Sequence, residues 1–242
     1  MVSNSKDNAN LSHLDVVVLA GGRGTRLASV LTDKPKLLAP VGNRQFIEIL
    51  LDSLECQGLR RITFSLGYLA DQIINHLKDR PPSSMEIDIV IEPEALGTGG
   101  GIALAARHLQ RSPLLVMNGD TFLEADLAGF VCAAAAHSKS DLAILAVQVS
   151  DVSDFGSLQL DANSCIKTFL EKGRTGDGLV SAGVYYFKEP FVRRLLTFEK
   201  GSLETDLFQQ LPPSSIYCHA IKGSFVDIGT PERLQSFQSL MS

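Results

Sequence analysis

One stretch limits what this chain can fold into more than any other. It is Leu19-Ala20-Gly21-Gly22-Arg23-Gly24-Thr25-Arg26-Leu27, placed directly after the run Asp15-Val16-Val17-Val18 and shortly before Lys34-Pro35-Lys36. The run is short and rich in β-branched residues, so it reads as a buried parallel strand. Gly21, Gly22 and Gly24 let the backbone approach a ligand closely and turn N–H groups toward an anion. Arg26 and Lys36 bring fixed positive charge to the same place. A strand, a glycine-rich turn and two cations together point to the phosphates of a nucleotide. Two familiar phosphate loops are excluded. A Walker loop needs Gly-Lys-Ser/Thr after its glycines, and here the text is Gly24-Thr25-Arg26; a dinucleotide fingerprint needs a third glycine where Leu27 stands.

The rest of the chain fits around that loop. Helical spacing predicts a helix over Gln45–Cys56, ended by Gly58, and another over Ala70–Asp79, stopped by Pro81-Pro82. Strands are expected at Arg61–Leu66, Met85–Ile91 and Pro113–Met117, with a second glycine-rich loop at Glu92–Gly101 and a helix from Ile102 to Gln110. A helix near 124–138 and a strand at 141–149 follow. Strands alternating with helices predict an α/β fold with a doubly wound, mostly parallel Rossmann-like sheet. Ligands in such sheets bind at the carboxyl ends of strands. Both glycine loops and Asn118-Gly119-Asp120 lie at such ends, which groups them into one site.

After residue 150 short extended pieces appear at Ser157–Leu160, Cys165–Leu170 and Val180–Phe187. They are expected to form a small antiparallel sheet on one side of the first. One or two helices within 189–211, strands near 216–221 and 224–228, and a helix from Pro231 complete the pattern. Residues 1–12 are expected to be a flexible tail. No linker divides residues 13–242, so they read as a single domain with a nucleotide half (13–150) and a second-substrate half (151–242).

Composition narrows the function. Apolar residues make up 45% of the 242, enough for a sizeable core, and the net charge of −5 argues against a nucleic-acid partner. Cys56, Cys132, Cys165 and Cys218 are scattered and read as free thiols. No run reaches membrane-span length and residues 1–10 lack a signal peptide's apolar segment, so a cytoplasmic protein without a membrane partner is expected.

The combination Gly21-Gly22-Arg23-Gly24-Thr25-Arg26-Leu27, Pro35-Lys36 and Pro40-Val41 resembles the sugar-1-phosphate nucleotidyltransferases. Further pieces follow in the family's order: Leu96-Gly97-Thr98-Gly99-Gly100, Asn118-Gly119-Asp120, Phe155-Gly156, Glu171-Lys172, Gly183-Val184-Tyr185 and Val226-Asp227-Ile228-Gly229-Thr230-Pro231. In length and wording the chain is most similar to the guanylyltransferases acting on D-glycero-D-manno-heptose 1-phosphate. The mannose-1-phosphate guanylyltransferases and N-acetylmuramate-1-phosphate uridylyltransferases remain alternatives, and a non-catalytic nucleotide- or sugar-sensing module is a further one.

The resemblance implies attack by a sugar phosphate oxygen on the α-phosphorus of a nucleoside triphosphate, with Mg²⁺ as cofactor and pyrophosphate leaving. Nucleotide contacts fall on Leu19, Ala20, Gly21, Gly22, Gly24, Thr25, Gly97, Thr98 and Asn118. Arg26 neutralises the pyrophosphate, Lys36 bridges the two phosphates, and Asp120 and Asp227 hold the metal. Gly156, Glu171, Lys172, Gly183 and Glu204 face the sugar phosphate. Glu92, five positions before Gly97, is the base reader; a carboxylate suits the paired N1–H and N2–H₂ donors of guanine, with Glu94 a rival for the task. A homo-oligomer is compatible with all of this.

Overall fold

The computed structural model describes residues 10–223 and 225–241. β1 (Asp15–Ala20) leads through 3₁₀ turns at Thr25–Leu27 and Lys36–Leu38 to the small hairpin β2 (Pro40–Val41) and β3 (Arg44–Gln45). Then come α1 (Phe46–Cys56), β4 (Arg61–Leu66), α2 (Ala70–Lys78), β5 (Glu86–Ile91), α3 (Gly97–Leu109) and β6 (Leu114–Asn118). The order continues with β7 (Thr121–Leu123), α4 (Leu127–Ala136), β8 (Leu142–Val149), β9 (Ser157–Leu160), β10 (Ile166–Leu170) and β11 (Gly178–Phe187). It closes with α5 (Glu189–Leu195), a π-helical turn at Leu203–Leu207, β12 (Ile216–Ile221), β13 (Phe225–Asp227) and α6 (Pro231–Leu240).

The nine-stranded sheet runs β10-β9-β11-β6-β1-β4-β5, with β8 on the other edge of β11 and β12 beyond β8. Strands β1, β4, β5 and β6 are parallel. Val16 and Val18 point into one apolar layer and Val17 into the other, all fully buried, as the two-residue period of a strand requires. Helices α1, α2, α4 and α6 cover the first face and α3 and α5 the second, giving the doubly wound α/β class expected. α1 shows why: Phe46, Ile47, Leu50, Leu51 and Leu54 bury almost completely, each worth about 1.5–3 kcal/mol. Glu48 accepts the Gln45 N–H at its start.

Three expectations need correction. α3 starts at Gly97, a turn earlier than Ile102. Glycine disfavours a helix, but Gly99 N–H donates to Gly201 O at 2.9 Å and Leu203 N–H donates to Thr98 Oγ1 at 2.8 Å, so a distant segment holds that turn. Second, β9, β10 and β11 extend the central sheet edge-on. β11 divides one edge between β9 and β6 and gives the other to β8, so both its neighbours are satisfied only within that sheet. The separate antiparallel pair on the second-substrate side is β7–β13. Third, the tail is shorter at its inner end than 1–12, because Leu11 is buried in the core; residues 1–9 lie outside the described residues. Among the described residues no helix is long and apolar enough to cross a membrane.

Candidate active site

The chain leaves β1 outward through β4 and β5, then returns through α3 to β6 on the opposite side of β1. That reversal is a topological switch point, where the carboxyl ends of the two strands part and leave a crevice. Leu19 stands in register with Asn118, and Gly119 N–H donates to Leu19 O at 2.8 Å, so the two strand ends are tied just below the opening. Above them an open cleft forms at the strand ends, where ligands of such sheets bind. Leu19, Ala20, Gly21, Gly22, Lys36, Thr98, Asn118 and Asp120 line it. Pro35, Leu37 and Ile73 supply apolar wall.

A second, more polar cleft opens beyond Asp120 and shares Asn118 and Asp120 with the first. Gly156, Lys172, Gly183, Glu204 and Asp227 face it. Arg26, expected at the pyrophosphate, faces this second cleft and not the first, carried there by the 3₁₀ turn that follows Gly24, which together with Thr25 forms the bend. Glu171 is exposed and outside both linings.

Asp120 and Asp227 are far apart in sequence and adjacent in space. Thr121 and Asp227 are register partners in the β7–β13 pair, and Ile228 N–H donates to Asp120 O at 2.8 Å. Each carboxylate has a cation of the chain's own. Lys36 Nζ donates to Asp120 Oδ2 at 2.8 Å, with both side chains mostly buried. Arg233 donates through one terminal nitrogen to Asp227 Oδ2 and through the other to Asp154 Oδ2 at 3.0 Å. Its guanidinium also lies 4.4 Å from the centre of the Phe155 ring. Arg233 was not foreseen from the sequence. Its only local signal is the start of α6, where Thr230 accepts the Arg233 N–H and so sets that residue in the first turn, facing back toward β13.

The two carboxylates fit a hard divalent cation. Both are oxygen donors lining the second cleft, and Asp120 also lines the first. Magnesium is held in that manner, by one or two carboxylates with substrate phosphates completing the shell.

The remaining side chains show how the walls are built. The Glu92 carboxylate accepts Leu96 N–H at 3.0 Å and the Ser65 hydroxyl at 3.3 Å, and it lies against Gly21 and Gly101. It therefore braces the second glycine loop against β4 and packs beside Gly21 of the first, while Glu94 pairs with Lys200 at the surface. Gly97 abuts Gly201 so closely that a Cβ there would lie 2.5 Å from the Gly201 carbonyl oxygen. Tyr185 is fully buried and donates to Glu204 Oε1 at 3.4 Å; burial and the neighbouring carboxylate push its phenol upward, so it stays a donor.

Gly183 sits at a bulge in β11 with φ +66°, and a side chain there would run into the Asn118 amide. Gly183→Ala is expected to cost about 2–4 kcal/mol, from the positive φ and from crowding Asn118. Denaturant unfolding measures it, and a loss below about 0.5 kcal/mol would contradict this account of the bulge.

Comparison with known proteins agrees with this architecture. A family model described as "Nucleotidyl transferase" matches residues 15–240. The D-glycero-alpha-D-manno-heptose 1-phosphate guanylyltransferase of Campylobacter jejuni is 29% identical over 93% of this chain and 98% of that protein. The mannose-1-phosphate guanylyltransferase of Mycobacterium tuberculosis is 30% identical over 90% of this chain, which spans 62% of it. A crystal structure of HddC from Yersinia pseudotuberculosis complexed with GMP-PN has a TM-score of 0.85 and 36% identity, covering 95% of this chain and all of that one. With its glycine loop at the switch point and two aspartates lining the second cleft, and with the family match running through nearly every described element, the chain belongs to the nucleotidyl transferase family.

Proposed function

We propose that the protein transfers the guanylyl group of GTP to a sugar 1-phosphate, with D-glycero-D-manno-heptose 1-phosphate as the leading acceptor, for surface polysaccharide synthesis in the cytoplasm. The observation that carries this reading is the shared wall of the two clefts. Asn118 and Asp120 belong to both, so a nucleotide in one and a sugar phosphate in the other meet at Asp120. The names of the Campylobacter relative and of the GMP-PN complex support heptose and guanine.

In this reading an oxygen of the sugar phosphate attacks the α-phosphorus in line. The bond from that phosphorus to the β-bridging oxygen breaks, and pyrophosphate leaves with the electron pair. The acceptor is already ionised at neutral pH, so no general base is required. Backbone N–H groups of Gly22, Gly24 and Thr25 hold the triphosphate, and Lys36 spans the α-phosphate and the acceptor. Arg26 and Lys172 offset charge on the second-cleft side, while Gly156, Gly183 and Glu204 shape the sugar's seat. Asp120 and Asp227 would hold Mg²⁺, which when bound neutralises charge on the phosphoryl oxygens. Holding two polyanions together and neutralising them accounts for most of what the catalyst must do.

The test is a matrix of GTP, UTP, ATP and dTTP against the 1-phosphates of heptose, mannose, N-acetylmuramate and glucose. It is read by pyrophosphate release and product mass. Heptose with GTP is expected to dominate; silence throughout would sink the reading. A mannose preference is the second reading, favoured by the Mycobacterium relative. GTP binding without pyrophosphate release would instead mark a sensing module.

Glu92 remains our base reader, beside the loop-tying contacts it makes. Glu92→Gln is expected to lower the GTP-to-UTP ratio of kcat/KM about tenfold, as losing one charged hydrogen bond implies. An unchanged ratio would leave Glu92 with loop closure alone.

A further inference from the structure

Among the described residues, Arg233 is the one cation lining the second cleft that the mechanism above does not use. It lines that cleft together with Lys172 and Arg26. Its side chain is only 21% exposed. Three contacts fix it: Asp227 on one terminal nitrogen, Asp154 on the other, and the face of Phe155 beneath. Two of these partners, Asp154 and Phe155, immediately precede Gly156 on the second-substrate side. The third, Asp227, is one of the two carboxylates suited to a divalent cation. The anionic groups facing Arg233 are thus Asp154 and Asp227, and no described cation bonds to either of them besides Arg233 itself.

Asp227 Oδ1 already accepts the Gly229 N–H at 2.9 Å, so a divalent cation would compete with Arg233 for Oδ2. In the free protein Arg233 neutralises Asp227. Once Asp227 takes a divalent cation, the nitrogen that faced it loses its acceptor, while Asp154 and Phe155 still hold the guanidinium in place. A guanidinium fixed on one side and freed on the other presents donors in the geometry that suits a phosphate. The dianion that enters this cleft in the reaction proposed above is the acceptor's phosphate monoester.

We propose that Arg233 is a ligand of the acceptor's phosphate, held in reserve as the counter-ion of Asp227 and released to the phosphate when that carboxylate binds a divalent cation. The inference rests on the reaction proposed above. It makes one cation serve both states of the site.

The experiment compares wild type with Arg233→Gln and Arg233→Lys. Arg233→Gln is expected to raise KM for the sugar 1-phosphate by about ten- to a hundredfold, the scale of one lost charge-assisted hydrogen bond, with KM for GTP changed less than threefold. Mn²⁺ titrated into the substrate-free protein supplies a readout independent of turnover. Arg233→Gln should bind it about tenfold or more tightly than wild type, because Asp227 has lost its competitor. Arg233→Lys keeps a charge without the fork and should recover only part of the acceptor KM. Equal rises in both KM values with unchanged Mn²⁺ binding would overturn the proposal and leave Arg233 a structural tie, as would an acceptor KM that does not move. A wild type that binds Mn²⁺ and GTP yet turns over no sugar phosphate would defeat the proposed reaction instead. A melting curve for each variant separates both results from unfolding.

Discussion

Asp120→Asn and Asp227→Asn are each expected to lower kcat by about a hundred- to a thousandfold, with the fold intact. The size follows from removing one preorganised charge from a site whose work is electrostatic, a loss of about 3–4 kcal/mol in the barrier. Asn keeps the shape and one oxygen, so the change isolates charge. Melting should move little, because what holds these two positions is backbone pairing: Asp227 sits in the β7–β13 ladder, and Asp120 O accepts from Ile228 N–H. Pyrophosphate release across Mg²⁺ concentrations reads the effect, and extra Mg²⁺ should recover part of the rate. Near-wild-type rates in both variants would remove the metal assignment.

Lys36→Met should act at the same place with a different signature. Lys36 faces the first cleft and its ammonium is paired with Asp120 at 2.8 Å. Met keeps much of the stem that packs beside Gly24 and removes the charge. A kcat loss of about a hundred- to a thousandfold is expected from the missing bridge between phosphates. The free protein should at the same time bind Mn²⁺ more tightly, since Asp120 loses its counter-ion. The double variant Lys36→Met with Asp120→Asn should lose much less than the product of the two single losses, because both act on one charge cluster. Full additivity would mean that the pair seen here is not the pair that works.

The parallel half of the fold was legible because its signals are local. Val16, Val17 and Val18 announce a strand buried on both faces, and the glycines after Ala20 announce what its end is for. The second half was harder. The pieces at 157–187 read correctly as strands, but their company in the sheet depends on β11 pairing with both β6 and β8, which no local pattern encodes. The start of α3 was misplaced for the same reason. Gly97–Gly101 looks like a loop until Gly201 and Leu203 arrive from far along the chain to hold its first turn. Asp15 carries a related lesson: buried at the opposite end of β1, it is bonded by Arg61 and Arg111, two partners its neighbours in sequence do not suggest.

The candidate site divides along that line. By itself the sequence pointed to the reaction class, because Gly21, Gly22, Gly24, Arg26 and Lys36 fall within one turn-rich stretch whose spacing resembles that of the nucleotidyltransferases. The tertiary structure alone decided which charges meet. Lys36 with Asp120, Arg233 with both Asp154 and Asp227, and Glu92 with the opposite glycine loop are contacts between distant segments. They form only when the sheet reverses direction at β1 and brings the ends of β6 and β13 to the same opening. The physical reason is range: backbone conformation follows neighbours, whereas charge pairing follows distance in space, and only the folded sheet sets that distance.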